Sequence, residues 1–389
     1  MTTNQASSQL VTPATFAISS RAAELRSEGK PVLSLSIGEP DFPTPGHIKT
    51  AAKEAIDADY SHYTPTGGLP VLKKAIIDKM KRDYNLDFSS AQVMAGAGGK
   101  QMLFNFFEVM LEEGDEVALT DPAWLSYEQQ IKWAGGVPLR VPTRPETGLV
   151  MTAAALESVL TERTKIVLIN SPANPTGGMI PHEELDSILK ICEEKDLIIL
   201  SDDVYEFFYY DEKPALVLEL RPDLRDRVVT INSVSKSYAM TGWRLGFATG
   251  PESIIGKMQK RQGLSTSNPC AIAQMATVAA LNGPQDEVEA MRLAFARRRD
   301  LAVSKLDAHG KIPYVRPRGA FYLMMDINGL LKEGESDIDF CKRFLEDNYV
   351  AMIPGSVFGD VTKGWLRMSI ASSEAVIEEA LDRLFAMSQ

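Results

Sequence analysis

Lys236 closes the run Asn232-Ser233-Val234-Ser235-Lys236, and Arg244 follows in Met240-Thr241-Gly242-Trp243-Arg244. A lysine that forms a Schiff base must lose part of its hydration, which lowers its pKa and frees the amine. Most loop lysines sit on the surface. The company of Ser233, Ser235 and Arg244 sets this one apart, because two hydroxyls and a guanidinium make a phosphate cradle. Asp202, in Ser201-Asp202-Asp203-Val204-Tyr205, follows an apolar run, so its carboxylate is expected to be buried and to need a partner. A helix cap or a structural ion pair would satisfy it. So would a protonated pyridine nitrogen, whose pKa it would raise by roughly 1–3 units.

Gly96-Ala97-Gly98-Gly99-Lys100-Gln101 precedes an apolar helix expected to begin near Gln101. A glycine turn that feeds a helix N-terminus presents free amides to an anion. The segment is not a P-loop, because Met94 and Gln101 stand where that motif needs glycine and Ser or Thr. It also fails as a dinucleotide fingerprint at Gln101. Arg367 alternates with Leu366 and Met368, a pattern that suits a carboxylate clamp on a half-buried strand as well as a solvent-facing arginine. Ser233-Val234-Ser235-Lys236 also matches S-x-x-K, the acyl-serine signature. The S-D-N and K-T-G partners of that signature are missing, which counts against a serine acylase. His47, His62, His182 and His309 lack H-E-x-x-H spacing, so no metal is assigned.

These residues need a frame. Lys165–Asn170, Leu197–Leu200 and Val228–Ile231 are short, nearly wholly apolar runs, with an amphipathic helix expected over Glu183–Lys195. Such alternation predicts an α/β fold with a mainly parallel sheet buried on both faces. Ligands then sit beyond the carboxyl ends of the strands, where Asn174, Asp202 and Lys236 follow. Helices are expected over Phe16–Gly29, Lys49–Ala58, Leu69–Arg82 and Asp286–His309, and a strand over Pro31–Ile37. The end of the chain reads as a small α+β unit, with strands near Phe321–Asp326 and Trp365–Ile370 and a last helix over Ser373–Met387.

Composition narrows the class. At 389 residues the chain has room for two domains and a deep core. A net charge of −11 argues against nucleic-acid binding as its main business. Cys192, Cys270 and Cys341 lie too far apart for a zinc knuckle or a disulfide framework, which fits a reducing cytoplasmic compartment. Met1–Ser20 lacks the apolar core of a secretory signal, and no apolar run is long enough to span a membrane.

Taken in order, Asn174-Pro175-Thr176-Gly177, Ser201-Asp202-Asp203-Val204-Tyr205, Ser235-Lys236 and Met240-Thr241-Gly242-Trp243-Arg244-Leu245-Gly246 resemble the class I aminotransferases, fold-type I enzymes of pyridoxal 5′-phosphate. Ser36-Ile37-Gly38-Glu39-Pro40-Asp41-Phe42 and Tyr63-Thr64-Pro65-Thr66-Gly67-Gly68 match the same family. The resemblance runs from about Pro13 to the C-terminus. It implies an arm at 1–13, a small domain from 14–45 and 285–389, and a large cofactor-binding domain over 46–284. It implies that Lys236 bonds the cofactor and then carries a proton between the substrate's Cα and the cofactor. Asp202 would keep the pyridine nitrogen protonated, making the ring an electron sink. Tyr205 and Asn174 would hydrogen-bond the phenolic oxygen, and Trp124 would stack on the ring. Gly98, Gly99, the Lys100 amide, Ser233, Ser235 and Arg244 would hold the phosphate. Tyr63 would reach the phosphate of a neighbouring subunit, which implies a homodimer. Arg367, with Asn174 and the Gly38 amide, would clamp the substrate α-carboxylate.

Two departures from the family pattern are small: Asp203 replaces a frequent Glu, and Ser233-Val234-Ser235 adds a hydroxyl. Gly98-Gly99-Lys100-Gln101 looks like the bacterial and plant-type aspartate branch, in which the lysine ammonium meets the substrate's distal carboxylate. Thr15 matches a threonine that joins this recognition, whereas Pro13 replaces a frequent serine. Some members of the branch also transaminate prephenate. The expected reaction is a ping-pong transfer from aspartate to 2-oxoglutarate. Alternatives are another donor or acceptor (prephenate, aromatic or alanine) and, less favoured, a non-catalytic descendant of the fold.

Overall fold

The computed structural model describes residues 14–388; the expected arm at 1–13 and the side chain of Thr15 lie outside the described residues. The strands are β1 (Leu33–Ser34), β2 (Val93–Gly96), β3 (Glu116–Asp121), β4 (Val137–Pro142), β5 (Thr164–Ile169), β6 (Ile198–Asp202) and β7 (Val228–Ser233). They continue with β8 (Gly246–Thr249), β9 (Tyr314–Val315), β10 (Tyr322–Asp326), β11 (Val350–Ala351), β12 (Ile353–Pro354) and β13 (Trp365–Ser369). Five helices matter below: α1 (Ala14–Ser27), α2 (Gly46–Asp57), α3 (Pro70–Tyr84), α4 (Gly99–Met110) and α5 (Leu125–Trp133).

A seven-stranded sheet runs in the order β2-β8-β7-β6-β5-β3-β4. Its strands are parallel except β8, which is antiparallel to both β7 and β2. The sheet is buried on both sides, and β5 shows how. Val167 and Ile169 enter one apolar cluster, with Leu185, Ile188 and Leu189 of the helix His182–Glu194. Ile166 and Leu168 enter another, with Phe106 and Phe107 of α4 and Ile131 of α5. Alternate side chains of one strand thus face two helical layers, which is why the run reads as continuously apolar.

A second, antiparallel sheet runs β12-β13-β10-β9. It shares an apolar cluster with α1 and with the helices Asp286–His309, Asp337–Asn348 and Glu374–Phe385. Ile18, Phe295, Phe321, Leu366 and Leu381 belong to this cluster, and so do Tyr205 and Phe208 from the turn after β6.

The helix Asp286–His309 matches its expected bounds. The strand expected over Pro31–Ile37 is only the two residues of β1, paired in parallel with β11. Pro31 has no N–H to give a ladder, and beyond Ser34 the chain turns toward the site. The helix expected near Gln101 begins at Gly99.

Candidate functional site

Parallel pairing aligns the ends of β5, β6 and β7, with Ile169 opposite Ser201 and Asp202 opposite Ile231. Beyond these ends lies a cavity of ≈ 390 Å³. The structure brings Gly38, Gly99, Lys100, Trp124, Asn174, Asp202, Tyr205, Ser233, Ser235, Lys236, Arg244 and Arg367 to its wall. Gly98 lies just behind, at the turn into α4. Tyr63 does not join them: its side chain is 92% exposed on the loop before α3.

Lys236 sits in the single helical turn Val234–Ser237 that follows β7. Its Nζ donates to the Gly38 carbonyl at 2.5 Å. The Gly38 group seen here is therefore its carbonyl, whereas the expectation concerned its amide. Burial, helped by the cations Arg244, Arg367 and Lys100, pushes the Lys236 ammonium down to about 8, against the pull of Glu39. About a tenth of the amine is then neutral at pH 7, far more than for an ordinary lysine, as a nucleophile or base requires.

Asp202 ends β6 and is 4% exposed. Burial raises its carboxyl to about 6, although the Tyr127 hydroxyl donates to Oδ2 at 2.6 Å and the Val204 N–H to Oδ1 at 3.3 Å. Asp203 beside it is pushed up to about 8 by burial, with Glu206 and Asp202 adding repulsion, even though Ser201 donates to it at 2.6 Å. At neutral pH Asp202 is therefore ionised and Asp203 holds its proton. A buried anion that forms no ion pair among the described residues, with only the more distant charge of Lys236 acting on it, is an electrostatic socket for a positively charged ring nitrogen.

A glycine-led helix start faces these two groups. Gly98 has φ +95°, and a Cβ there would come within 2.6 Å of the Arg244 guanidinium. The N-terminal amides of α4, the Ser233 and Ser235 hydroxyls 2.8 Å apart, and Arg244 form one donor set suited to a phosphate. The Lys100 ammonium lies 4.9 Å from the Trp124 ring centroid, and burial followed by Arg244 lowers its pKa.

From the antiparallel sheet, β13 contributes Arg367. Its Nη1 donates to Asn174 Oδ1 at 3.0 Å and its Nη2 to the Ser36 carbonyl at 2.9 Å. Its guanidinium lies 4.4 Å from the Tyr322 ring and 4.9 Å from the Phe358 ring. Arg367 is 6% exposed, and its Nε has no hydrogen-bond partner among the described residues. A buried cation with no ion pair among the described residues and an idle N–H is arranged to receive an anion.

Three residues that the motifs did not single out complete the site. Tyr127 holds Asp202 and meets Trp124 edge-on at 5.2 Å. Asn170 receives the Asn174 N–H at 3.0 Å and donates to the Asp202 carbonyl at 2.9 Å. The Tyr322 hydroxyl lies 3.1 Å from that of Tyr205. Tyr127 follows Trp124 by three residues at the start of a helix, a spacing that puts both on one face and could have flagged it. Nothing local marks Tyr322, because its role depends on the β10–β13 pairing.

Comparison with known proteins gives a consistent picture. The family model described as aminotransferase class I and II matches residues 30–384. An aspartate aminotransferase of Bacillus sp. is 42% identical over 96% of this chain and 96% of its own length. An aspartate/prephenate aminotransferase of Cereibacter sphaeroides is 42% identical over 96% of this chain and 95% of its own. A solved aspartate aminotransferase from Thermus thermophilus with maleate superposes with a TM-score of 0.93 at 36% identity, covering 100% of both chains.

Proposed function

The chain belongs to the class I and II aminotransferases, and from that premise we propose that it moves the amino group of aspartate to 2-oxoglutarate by ping-pong exchange. It is a transferase whose cofactor is pyridoxal 5′-phosphate and whose substrates are amino and 2-oxo acids. The residues present fit that cofactor: a helix N-terminus, two hydroxyls and Arg244 for the phosphate, ionised Asp202 for the ring nitrogen, and Lys236 for the aldehyde. When bound, the cofactor supplies the electron sink that acidifies the substrate's Cα–H.

The chain's own residues do the rest. Asp202, held by Tyr127, keeps a negative charge against the ring nitrogen. Tyr205 and Asn174 would hydrogen-bond the phenolic oxygen. Trp124 would pack on the ring face. Arg367 would take the α-carboxylate and Lys100 the distal carboxylate, both from the wall of the one cavity. Two clamps fix the Cα–H bond relative to the ring, which is proximity and orientation catalysis. Lys236 Nζ, neutral in part near pH 7, would be the base that takes up the Cα proton and the acid that gives it back.

The observation that carries this reading is the pairing of a buried lysine of lowered pKa with a buried aspartate across one cavity that also holds Arg367. The dicarboxylate preference rests on Lys100 and on the relatives, of which the Thermus protein was solved with maleate, itself a dicarboxylate. The proposal includes a homodimer, supported by the exposure of Tyr63 at 92% and Leu264 at 86%. It places the chain in the cytoplasm, supported by its free cysteines, and it keeps the division at 45/46 and 284/285, supported by the separate apolar cluster around the antiparallel sheet. Among the described residues, no helix is long and apolar enough to cross a membrane.

A donor panel tests the substrate. With 2-oxoglutarate as acceptor, aspartate should exceed alanine and phenylalanine in kcat/KM by about 100-fold. A panel led by alanine or phenylalanine overturns the assignment. Turnover of glutamate with prephenate at a comparable rate would place the chain with its aspartate/prephenate relatives.

A further inference from the structure

Between the two sheets lies a polar junction, formed by Asp121, Arg140, Ala123 and Phe358, none of which lines the cavity itself. Asp121 is the last residue of β3 and is 6% exposed. Its Oδ2 accepts the Asp360 N–H at 3.2 Å and its Oδ1 the Val361 N–H at 3.4 Å. Both amides belong to the segment between the short 3-10 turn Gly355–Val357 and β13. The backbone of Gly359 passes so close that a Cβ there would overlap the Asp121 carboxylate. Arg140, on β4, donates through Nη1 to the Phe358 carbonyl at 2.9 Å, and the same carbonyl accepts the Ala123 N–H at 3.0 Å. Arg140 also pairs with Glu128 of α5 and lies 3.9 Å from Asp121.

The two ends of this junction differ in what they carry. On one side Ala123 leads into Trp124, the N-cap of α5, and Glu128 belongs to that helix. On the other side Phe358 is 1% exposed and sets its ring 4.9 Å from the Arg367 guanidinium. We infer that Asp121 and Arg140 are positioning residues that lock Phe358, and through it Arg367, at a fixed place relative to Trp124. This rests on the reading of Arg367 as the α-carboxylate clamp. Neither residue lines the cavity. Their effect is to hold the clamp in register with the ring-stacking face, so that substrate binding pays less ordering entropy.

The α-carboxylate is common to every substrate, which makes the signature specific. Arg140→Met, in the cofactor-loaded protein, should raise KM about tenfold for aspartate, alanine and 2-oxoglutarate alike, with kcat changed less than about threefold. The cofactor's visible spectrum should be unchanged, and Arg140→Lys should recover part of the loss because it restores one donor to the Phe358 carbonyl. Asp121→Asn, which keeps one acceptor oxygen, should give a smaller rise in the same direction and serves if Arg140→Met does not fold. Arg367→Lys is run alongside. If it raises KM while Arg140→Met and Asp121→Asn do not, or if those two lower kcat and thermal stability without a shared KM effect, the positioning role is overturned. If Arg367→Lys itself leaves KM unchanged, the clamp reading fails and takes this inference with it.

Discussion

The seven-stranded sheet and the antiparallel sheet supply the site in different ways. The first offers residues from turns at aligned strand ends: Lys236, Asp202 and Asn174 each follow or close a buried parallel strand. The second offers Arg367 and Tyr322 from within paired strands, side by side over a shared core. Turns beyond a rigid sheet can crowd several functional groups round one bound ring, whereas a strand presents one alternating face and suits a single fixed clamp. On the proposed reading the first side would carry the proton chemistry and, through Lys100, the contact that distinguishes one substrate from another, while the second would fix the α-carboxylate that all substrates share. The two meet at the Arg367–Asn174 hydrogen bond of 3.0 Å.

Substitutions on the two sides should separate in kinetics. Asp202→Ala should lower kcat by about a thousandfold for all amino donors, because it removes the charge that keeps the ring electron-poor. A loss confined to KM would erase the distinction between the sides. Arg367→Lys should lower kcat/KM about a hundredfold, carried mainly by KM, since an ammonium cannot reproduce a planar two-point contact. Lys100→Ala should raise KM for aspartate about tenfold and leave alanine nearly unchanged, as steady-state rates with both donors would reveal. Equal effects on the two donors would return Lys100 to the phosphate turn alone.

The smallest expected effect is a pH dependence. In the folded chain without cofactor, Asp202 keeps its proton up to about 6, whereas an unfolded aspartate releases it near 3.9. The folded state then binds more protons between these values, so stability falls as pH rises from about 4 to 6. Thermal midpoints of the cofactor-free protein should show this decline, and Asp202→Asn should flatten it by a few degrees. An identical slope in the variant would mean that other groups set the pH response.

Much of the parallel side was legible in the sequence, because its strands are short apolar runs and its functional residues cluster immediately after them. The Lys236 turn, Asp202 and Arg244 are all found by walking off strand ends. The apolar-run pattern does not extend to β2, β3, β4 and β8, nor does it show the reversal of β8. A strand's direction depends on partners far away in the chain, and Gly246 pairs with Gly96 across 150 residues. Tyr322 is illegible for the same reason, an ordinary aromatic until β10 is set against β13, whereas Tyr127 carries one local mark, its place one turn after Trp124. The expected strand at 31–37 shrank to two residues because its neighbours find other partners: the Val32 N–H turns back to Lys30, and the Ser36 carbonyl receives Arg367 at 2.9 Å.

The amine of Lys236 is the one group through which all of the proposed chemistry passes. The direct measurement is to load the protein with pyridoxal 5′-phosphate, reduce it with borohydride and map the modified peptide by mass spectrometry. The expected result is a yellow protein before reduction and a single pyridoxyl adduct on Lys236, with none formed in Lys236→Ala. An adduct on another lysine, or a wild-type protein that stays colourless and unlabelled, would contradict it.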